Sequence, residues 1–223
     1  MARPIIGIII PVKNEQATIK KIVISLYKFG DIIIVNDASN DKTLEIIKKL
    51  KVKIINNKFS VGYESAITKG IKYCYKKKYR YIATIDGDDQ HDPNFFKNIT
   101  KIKNFDLLIA KRNKFNRLSE YFFSSFSYLI LKIKDPLSGM KVYNYEILKK
   151  IKNFNSYNTL NTFLLYKLKK NSKKLYEIKS KIKKRKDKSR IGNVFLGEFL
   201  VFKSLIKFIG LILLNKMKLL FKK

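Results

Sequence analysis

A chain of 223 residues with 46% hydrophobic and 13% aromatic side chains can bury one good core, which excludes general disorder and leaves room for one catalytic-sized domain with a short appendage. Its 49 Lys and Arg outweigh 17 Asp and Glu, and the formal charge of +32 draws polyanions, phosphorylated substrates or an anionic bilayer without choosing among them. The single cysteine, Cys74, excludes an internal disulfide and a cysteine-rich zinc site, and suits a reducing compartment.

Met1-Ala2-Arg3-Pro4 leads into an apolar run too short for a signal-peptide core, so export is not expected. Ile5 to Ile10 reads as a buried strand closed by Pro11, and Asp31 to Val35 as another closed by Asn36-Asp37. Between them Ile19, Ile22, Val23 and Leu26 recur at helical spacing, with Asn14 as the candidate N-cap. The pattern repeats with a helix near Asp41 to Lys49, a strand near Val52 to Asn56, a helix near Gly62 to Lys77 and a strand near Tyr79 to Ile85. Asp92-Pro93 then opens a helix before a strand over Asp106 to Ala110. Alternation of this kind predicts parallel strands with right-handed crossovers, and ligands beyond their carboxyl ends. The segments Pro11 to Glu15, Asp37 and Asp86 to Gln90 all lie there.

After about Lys111 the alternation stops. A helix over Leu118 to Ile133 precedes Asp135-Pro136-Leu137-Ser138-Gly139, and the stretch from Lys167 to Arg190 is densely basic. Val194 to Phe221 is apolar but interrupted by Lys203, Lys207, Lys216 and Lys218, leaving no run of the about 20 residues that a spanning helix needs. Two readings stand side by side: an interfacial helix at a membrane, or an amphipathic helix packed on the domain.

The scarce acids collect at strand ends, where a basic composition gives no reason for them. In Asp86-Gly87-Asp88-Asp89-Gln90, the side chains of Asp86, Asp88 and Gln90 can present oxygens to one point, a hard donor set suited to Mg2+ or Mn2+. Standing alone, such a motif is as well explained by a turn with a helix cap. It is accompanied, in order, by Pro11-Val12-Lys13-Asn14-Glu15, by Val35 to Thr43 and by the glycine-bracketed helix from Gly62 to Gly70.

With these segments the sequence resembles the family 2 glycosyltransferases, and within them the dolichol-phosphate mannose synthase and polyprenyl-phosphate glycosyltransferase group. The resemblance runs to about Asn193 and is strongest up to Phe95. It implies a GT-A fold, an α/β Rossmann-like, mostly parallel sheet flanked by helices. Residues 1–110 would form the nucleotide-sugar half, 111–193 the acceptor half, and 194–223 an amphipathic tail that associates with a membrane or packs on the domain. It implies that Pro11, Asn14, Glu15, Asp37, Gly62 and Asp86 bind the nucleotide sugar, and that Asp86, Asp88 and Gln90 hold the metal. His91 and Pro93 match the turn that follows. Asp88, Arg112, Arg117 and Arg185 are the implied catalytic set; Arg117, Ser138, Arg185, Ser189 and Arg190 are the implied grip on an acceptor phosphate. Two positions depart from the pattern: Asn36 stands where many relatives have a second aspartate, and Asp89 where an apolar residue is common.

The expected activity is inverting, metal-dependent transfer of a hexose from a UDP- or GDP-sugar to a lipid phosphate such as polyprenyl or dolichyl phosphate, by a protein peripheral on the cytoplasmic face of a membrane. The alternative acceptor is a hydroxyl of a glycan or lipid-linked saccharide, which requires a general base such as Asp88 or Asp89. A nucleic-acid partner has only the charge of +32 in its favour and is not expected.

Overall fold

The computed structural model describes residues 5–102, 104–151, 154, 157–159, 161–172, 174–183 and 194–220. Seven strands form one sheet in the order β3-β2-β1-β4-β6-β5-β7. They are β1 (Ile6–Val12), β2 (Asp31–Asn36), β3 (Lys53–Asn56), β4 (Tyr81–Thr84), β5 (Leu107–Lys111), β6 (Lys141–Asn144) and β7 (Leu175–Lys179). The first four are mutually parallel, β6 runs antiparallel between β4 and β5, and β7 extends the edge parallel to β5.

Every residue of β1 is buried, because helices cover both faces of the sheet. The period of two in the strand divides its isoleucines. Ile8 and Ile10 join α1 (Ile19–Leu26), which buries Ile19, Ile22, Val23 and Leu26, whereas Ile9 faces α3 (Tyr63–Lys76) and its Ala66, Ile67, Ile71 and Cys74. A Cβ on Gly70 would lie 2.4 Å from Ile9 Cγ2, so α3 sits directly on the strand there. Short helices α2 (Thr43–Lys48) and α4 (Asn98–Lys101) complete the first half, the latter following a 3-10 turn capped by Asp92, which accepts from the Asn94 amide at 2.9 Å.

The second half carries α5 (Leu118–Leu131), α6 (Tyr145–Lys149), α7 (Thr162–Asn171) and the long α8 (Val194–Leu220). Helix α8 packs against α5 and α7: Phe208 is buried with its ring 5.8 Å from Phe123 and 6.1 Å from Phe126, and Asn215 Nδ2 donates to Tyr166 Oη at 3.2 Å. The opposite side of α8 is exposed and apolar, with Phe195, Phe199, Ile206 and Leu213 open to solvent. The packing reading of the tail therefore describes one face of α8, and the other face is exposed.

Three expectations need correction. Asn14 does not cap α1; it adopts φ 56, its amide donates to Ser39 Oγ, and its Oδ1 accepts from the Asn40 amide, so it braces a loop and the helix begins only after Thr18. Pro11 does not end β1; pairing with β4 stops at Ile9, so beyond it β1 has only β2 as a ladder partner and a residue without an N–H is tolerated, as on an edge strand. The basic stretch hides β7, whose half-exposed edge position replaces apolar alternation with Lys and Glu.

Candidate functional site

The carboxyl ends of β1, β2 and β4 deliver the acidic and polar turns to one edge of the sheet. Asp37 follows β2 directly and is buried. Its Oδ1 accepts from Asn57 Nδ2 at 2.9 Å and the Val61 amide at 2.8 Å; its Oδ2 accepts from Ser60 Oγ at 2.8 Å and the Gly62 amide at 2.9 Å. Burial by itself would push this carboxyl up, but the donors from Val61, Ser60, Asn57 and Gly62 prevail and hold it below its ordinary range. Asp37 thus organises the loop leading into α3, where Gly62 takes φ 85, a conformation that favours glycine.

That loop places Tyr63, whose hydroxyl donates to Asp86 Oδ1 at 2.7 Å. Asp86, just beyond β4, has His91 Nε2 at 3.6 Å from Oδ2 on its other side. The backbone of Gly139 presses on the same carboxylate: a Cβ there would lie 1.9 Å from Asp86 Oδ2. Burial raises the Asp86 pKa, but His91, Tyr63 and the nearby Lys141 ammonium outweigh it, so the carboxylate is held ionised below its usual range.

Glu15 is buried behind the acidic turn. Thr18 Oγ1 touches both Glu15 Oε2 at 3.1 Å and the Gly87 carbonyl at 2.6 Å, and the Glu15 amide donates to Thr43 Oγ1 at 2.7 Å. Within the turn, Asp88 Oδ1 accepts from the Gln90 amide at 3.1 Å, and the Gln90 carboxamide donates through Nε2 to the Lys183 carbonyl at 3.3 Å. Using Nε2 in this way leaves Oε1 as the end of Gln90 suited to a cation.

On the other half of the sheet, Arg112 follows β5 and is committed within the protein. Its Nε lies 3.0 Å from Asp135 Oδ2, its Nη2 2.9 Å from Asp135 Oδ1, and its Nη1 3.4 Å from Glu120 Oε1. This fork-to-fork pairing satisfies the fully buried Asp135 and makes Arg112 a brace between the end of β5 and the turn before β6. Arg117 lies beyond it at the start of α5, 3.7 Å from Glu120 and packed on Gly197 of α8. Ser138 turns its hydroxyl to the Ala110 carbonyl at 2.7 Å and is buried there. Arg185, Ser189 and Arg190 lie outside the described residues.

Two groups escaped the sequence reading. Lys141, in β6, is buried with its ammonium donating to the Ser138 carbonyl; burial lowers its pKa to about 8 against the opposing fields of Asp135 and Asp86. The available signal was a lysine between Met140 and Val142-Tyr143, an unusual neighbour for an apolar strand. Tyr63 offered only its place directly after Gly62.

A family model described as glycosyl transferase family 2 matches residues 7–206. An uncharacterized protein of Methanocaldococcus jannaschii is 29% identical over 223 aligned residues, covering 91% of each chain. The UDP-N-acetylglucosamine–dolichyl-phosphate N-acetylglucosaminyltransferase of Methanococcus voltae is 33% identical over 113 residues, 42% of this chain and 45% of that one. The dodecaprenyl-phosphate galacturonate synthase of Rhizobium johnstonii is 27% identical over 173 residues, 66% of this chain and 50% of that one. Among solved structures, glucosyl-3-phosphoglycerate synthase from Mycobacterium tuberculosis, crystallised with Mn2+, UDP-glucose and glycerol 3-phosphate, superposes with a TM-score of 0.69 at 16% identity, covering 93% of this chain and 80% of that one.

Proposed function

We propose a reaction from one premise: this chain belongs to glycosyl transferase family 2, is a glycosyltransferase, and has the GT-A fold. The reaction is transfer of a hexose, with inversion, from a UDP- or GDP-sugar to a lipid phosphate such as polyprenyl or dolichyl phosphate. The named activities of the Methanococcus and Rhizobium relatives support the acceptor class, and the UDP-glucose complex of the mycobacterial neighbour supports the donor class.

The observation that carries the reading is Asp86, kept ionised at the end of β4 by His91 and Tyr63, with a second carboxylate two positions on at Asp88. Among the described residues no group of three His, Cys, Asp or Glu forms a closed metal site. Asp86, Asp88 and Gln90 Oε1 are the hard oxygen donors that would hold Mg2+ or Mn2+ here. When bound, such a cation neutralises the charge that grows on the leaving diphosphate. Asp37 and Gly62 shape the floor for the nucleoside, and Glu15 with Thr18 holds the acidic turn against β1.

In the transfer, an oxygen of the acceptor phosphate attacks the anomeric carbon, the bond from that carbon to the diphosphate oxygen breaks, and the nucleoside diphosphate leaves with the electron pair. The attacking oxygen is already ionised, so no base is needed. A hydroxyl acceptor would need one, and Asp89 suits that role poorly. Burial raises its pKa, but Lys21 and Lys183 dominate and hold it below the usual range.

The lipid half of the proposal is supported by the exposed apolar face that α8 shares with Leu118, Phe122 and Leu129 of α5, edged by Lys203, Lys207 and Lys216. No helix of the described residues is long and apolar enough to cross a membrane. The proposed location is peripheral, on the cytoplasmic face, with the apolar face at the acyl boundary and the lysines at lipid phosphates. Incubation with a panel of UDP- and GDP-sugars, Mn2+ or Mg2+ and polyprenyl phosphate in vesicles tests it. A polyprenyl-phosphate sugar is the expected product; transfer confined to a saccharide hydroxyl overturns the acceptor.

A further inference from the structure

Asp89 has no role in the mechanism above, and its surroundings are unusual for a turn residue. It sits between Asp88 and Gln90 at φ 57, a left-handed conformation that aspartate tolerates better than most residues. Its side chain is only 13% exposed and meets two cations: Oδ2 accepts from Lys21 Nζ on α1, and Oδ1 lies 3.3 Å from Lys183 Nζ. Lys183 closes the segment that follows β7. That segment is joined to the acidic turn at three further points: a β-bridge between His91 and Ile182, the Lys183 amide donating to the Gln90 carbonyl at 2.9 Å, and Gln90 Nε2 donating to the Lys183 carbonyl.

We propose that Asp89 is a positioning residue that clips the segment ending at Lys183 to the acidic turn, and so sets where an anionic acceptor meets the donor. The backbone bridge fixes the two segments edge to edge over a few residues only, too short a ladder to hold by itself. The ion pairs add an anchor at Asp89, which stands at φ 57 between Asp88 and Gln90. An apolar side chain at this place would leave the Lys21 and Lys183 ammonium groups facing each other across the turn without the carboxylate between them. Gln90 joins the same junction through its backbone carbonyl and Nε2, contacts that do not involve the Asp89 carboxylate. In sequence the clipped segment leads directly to Arg185, Ser189 and Arg190, the acceptor grip that the family resemblance implies.

The inference rests on the lipid-phosphate reading for its kinetic consequence but not for its structural one, and the experiment separates the two. Full-length wild type, Asp89→Asn, Asp89→Leu, Asp89→Glu and Lys183→Met are compared in three measurements: amide exchange across 180–183, the thermal shift given by a UDP-sugar with Mn2+, and steady-state kinetics with polyprenyl phosphate. Asp89→Asn, Asp89→Leu and Lys183→Met are expected to speed exchange at 180–183 and to raise the KM for polyprenyl phosphate roughly 10-fold or more, as misplacement does. The donor thermal shift stays, and Asp89→Glu recovers both properties in large part. Combining Asp89→Asn with Lys183→Met should do little more than Asp89→Asn alone, since the Lys183 contact is already lost in that variant. Unchanged exchange at 180–183 overturns the clip. Loss of donor binding in step with the rise in KM also overturns it, because Asp89 would then serve only the fold of the turn. If wild type transfers nothing to polyprenyl phosphate, the proposed acceptor fails, while the exchange data still decide the clip.

Discussion

Asp37 illustrates how a single carboxylate can be spent on shape. Four protein donors converge on it, and replacing it by Asn puts an amide N–H2 against at least one of the Ser60, Val61 and Gly62 donors. Asp37→Asn should therefore cost about 1–3 kcal/mol at neutral pH, the penalty of a buried donor without an acceptor. The sign of its pH dependence follows from the lowered folded pKa. The charge contributes stability fully above the ordinary value of 3.8, and that contribution is lost as pH falls through the folded value. Urea melts at pH 7 and then at successively lower pH should show the gap between wild type and variant closing only below about 3.8; a constant gap would mean that the charge is irrelevant. Gly139 makes a complementary case, since its missing side chain is what lets Asp86 stand where it does. Gly139→Ala must move the Asp86 carboxylate off the Tyr63 hydroxyl. The expected outcome is a modest stability loss of about 1–3 kcal/mol with a fall of about 100-fold or more in turnover, read by thermal melts and transfer assays on the same preparation.

Among the elements, α8 has one face that belongs to the core. Phe208 is fully buried between Phe123 and Phe126, so Phe208→Ala should destabilise by about 3–5 kcal/mol in denaturant titrations, while Phe195→Ala, on the open side of the same helix, should stay within about 0.5 kcal/mol. Equal effects would mean that α8 does not dock as described. The helix was legible in the sequence as an apolar run, but which lysines border which face was not, because Lys203, Lys207 and Lys216 mark only where water is and a bilayer interface would accept them as readily. The parallel half of the sheet was legible for a simpler reason: strands covered on both faces, such as Ile6–Val12 and Asp31–Asn36, are dominated by buried β-branched residues. β6 and β7 lack that signature. β6 is four residues long and opens with the buried Lys141, and β7 is a half-exposed edge strand inside the basic stretch, so neither shows an apolar run. The site followed the same division. Acids at strand ends announced themselves against a basic background, whereas the partners that tune them, Tyr63, Lys141 and Gly139, arrive through tertiary contacts that no spacing encodes.

At the scale of the whole molecule, the proposed membrane association would draw on two separable terms, a charge of +32 and an apolar face on α5 and α8. The charge term adds about 1 kcal/mol for each lysine near an anionic headgroup and is screened beyond about 8 Å in physiological salt. The apolar term, about 1.5–3 kcal/mol for each large side chain fully taken out of water, is indifferent to salt. Co-sedimentation with vesicles should resolve them. Wild type is expected to bind anionic vesicles strongly at low salt and to retain part of that binding when salt is raised. The triple variant Phe199→Ser, Ile206→Ser, Leu213→Ser is expected to keep the low-salt binding and lose the salt-resistant part. Those three side chains are exposed on the face of α8 that points away from the core, so the variant should melt near wild type and should transfer sugar to a short, water-soluble prenyl phosphate at an undiminished rate. Its rate on long-chain acceptor embedded in vesicles should fall in proportion to the binding it has lost. If salt alone removed all binding of the wild type, the apolar face would have no lipid role and the lysines would account for the whole attraction.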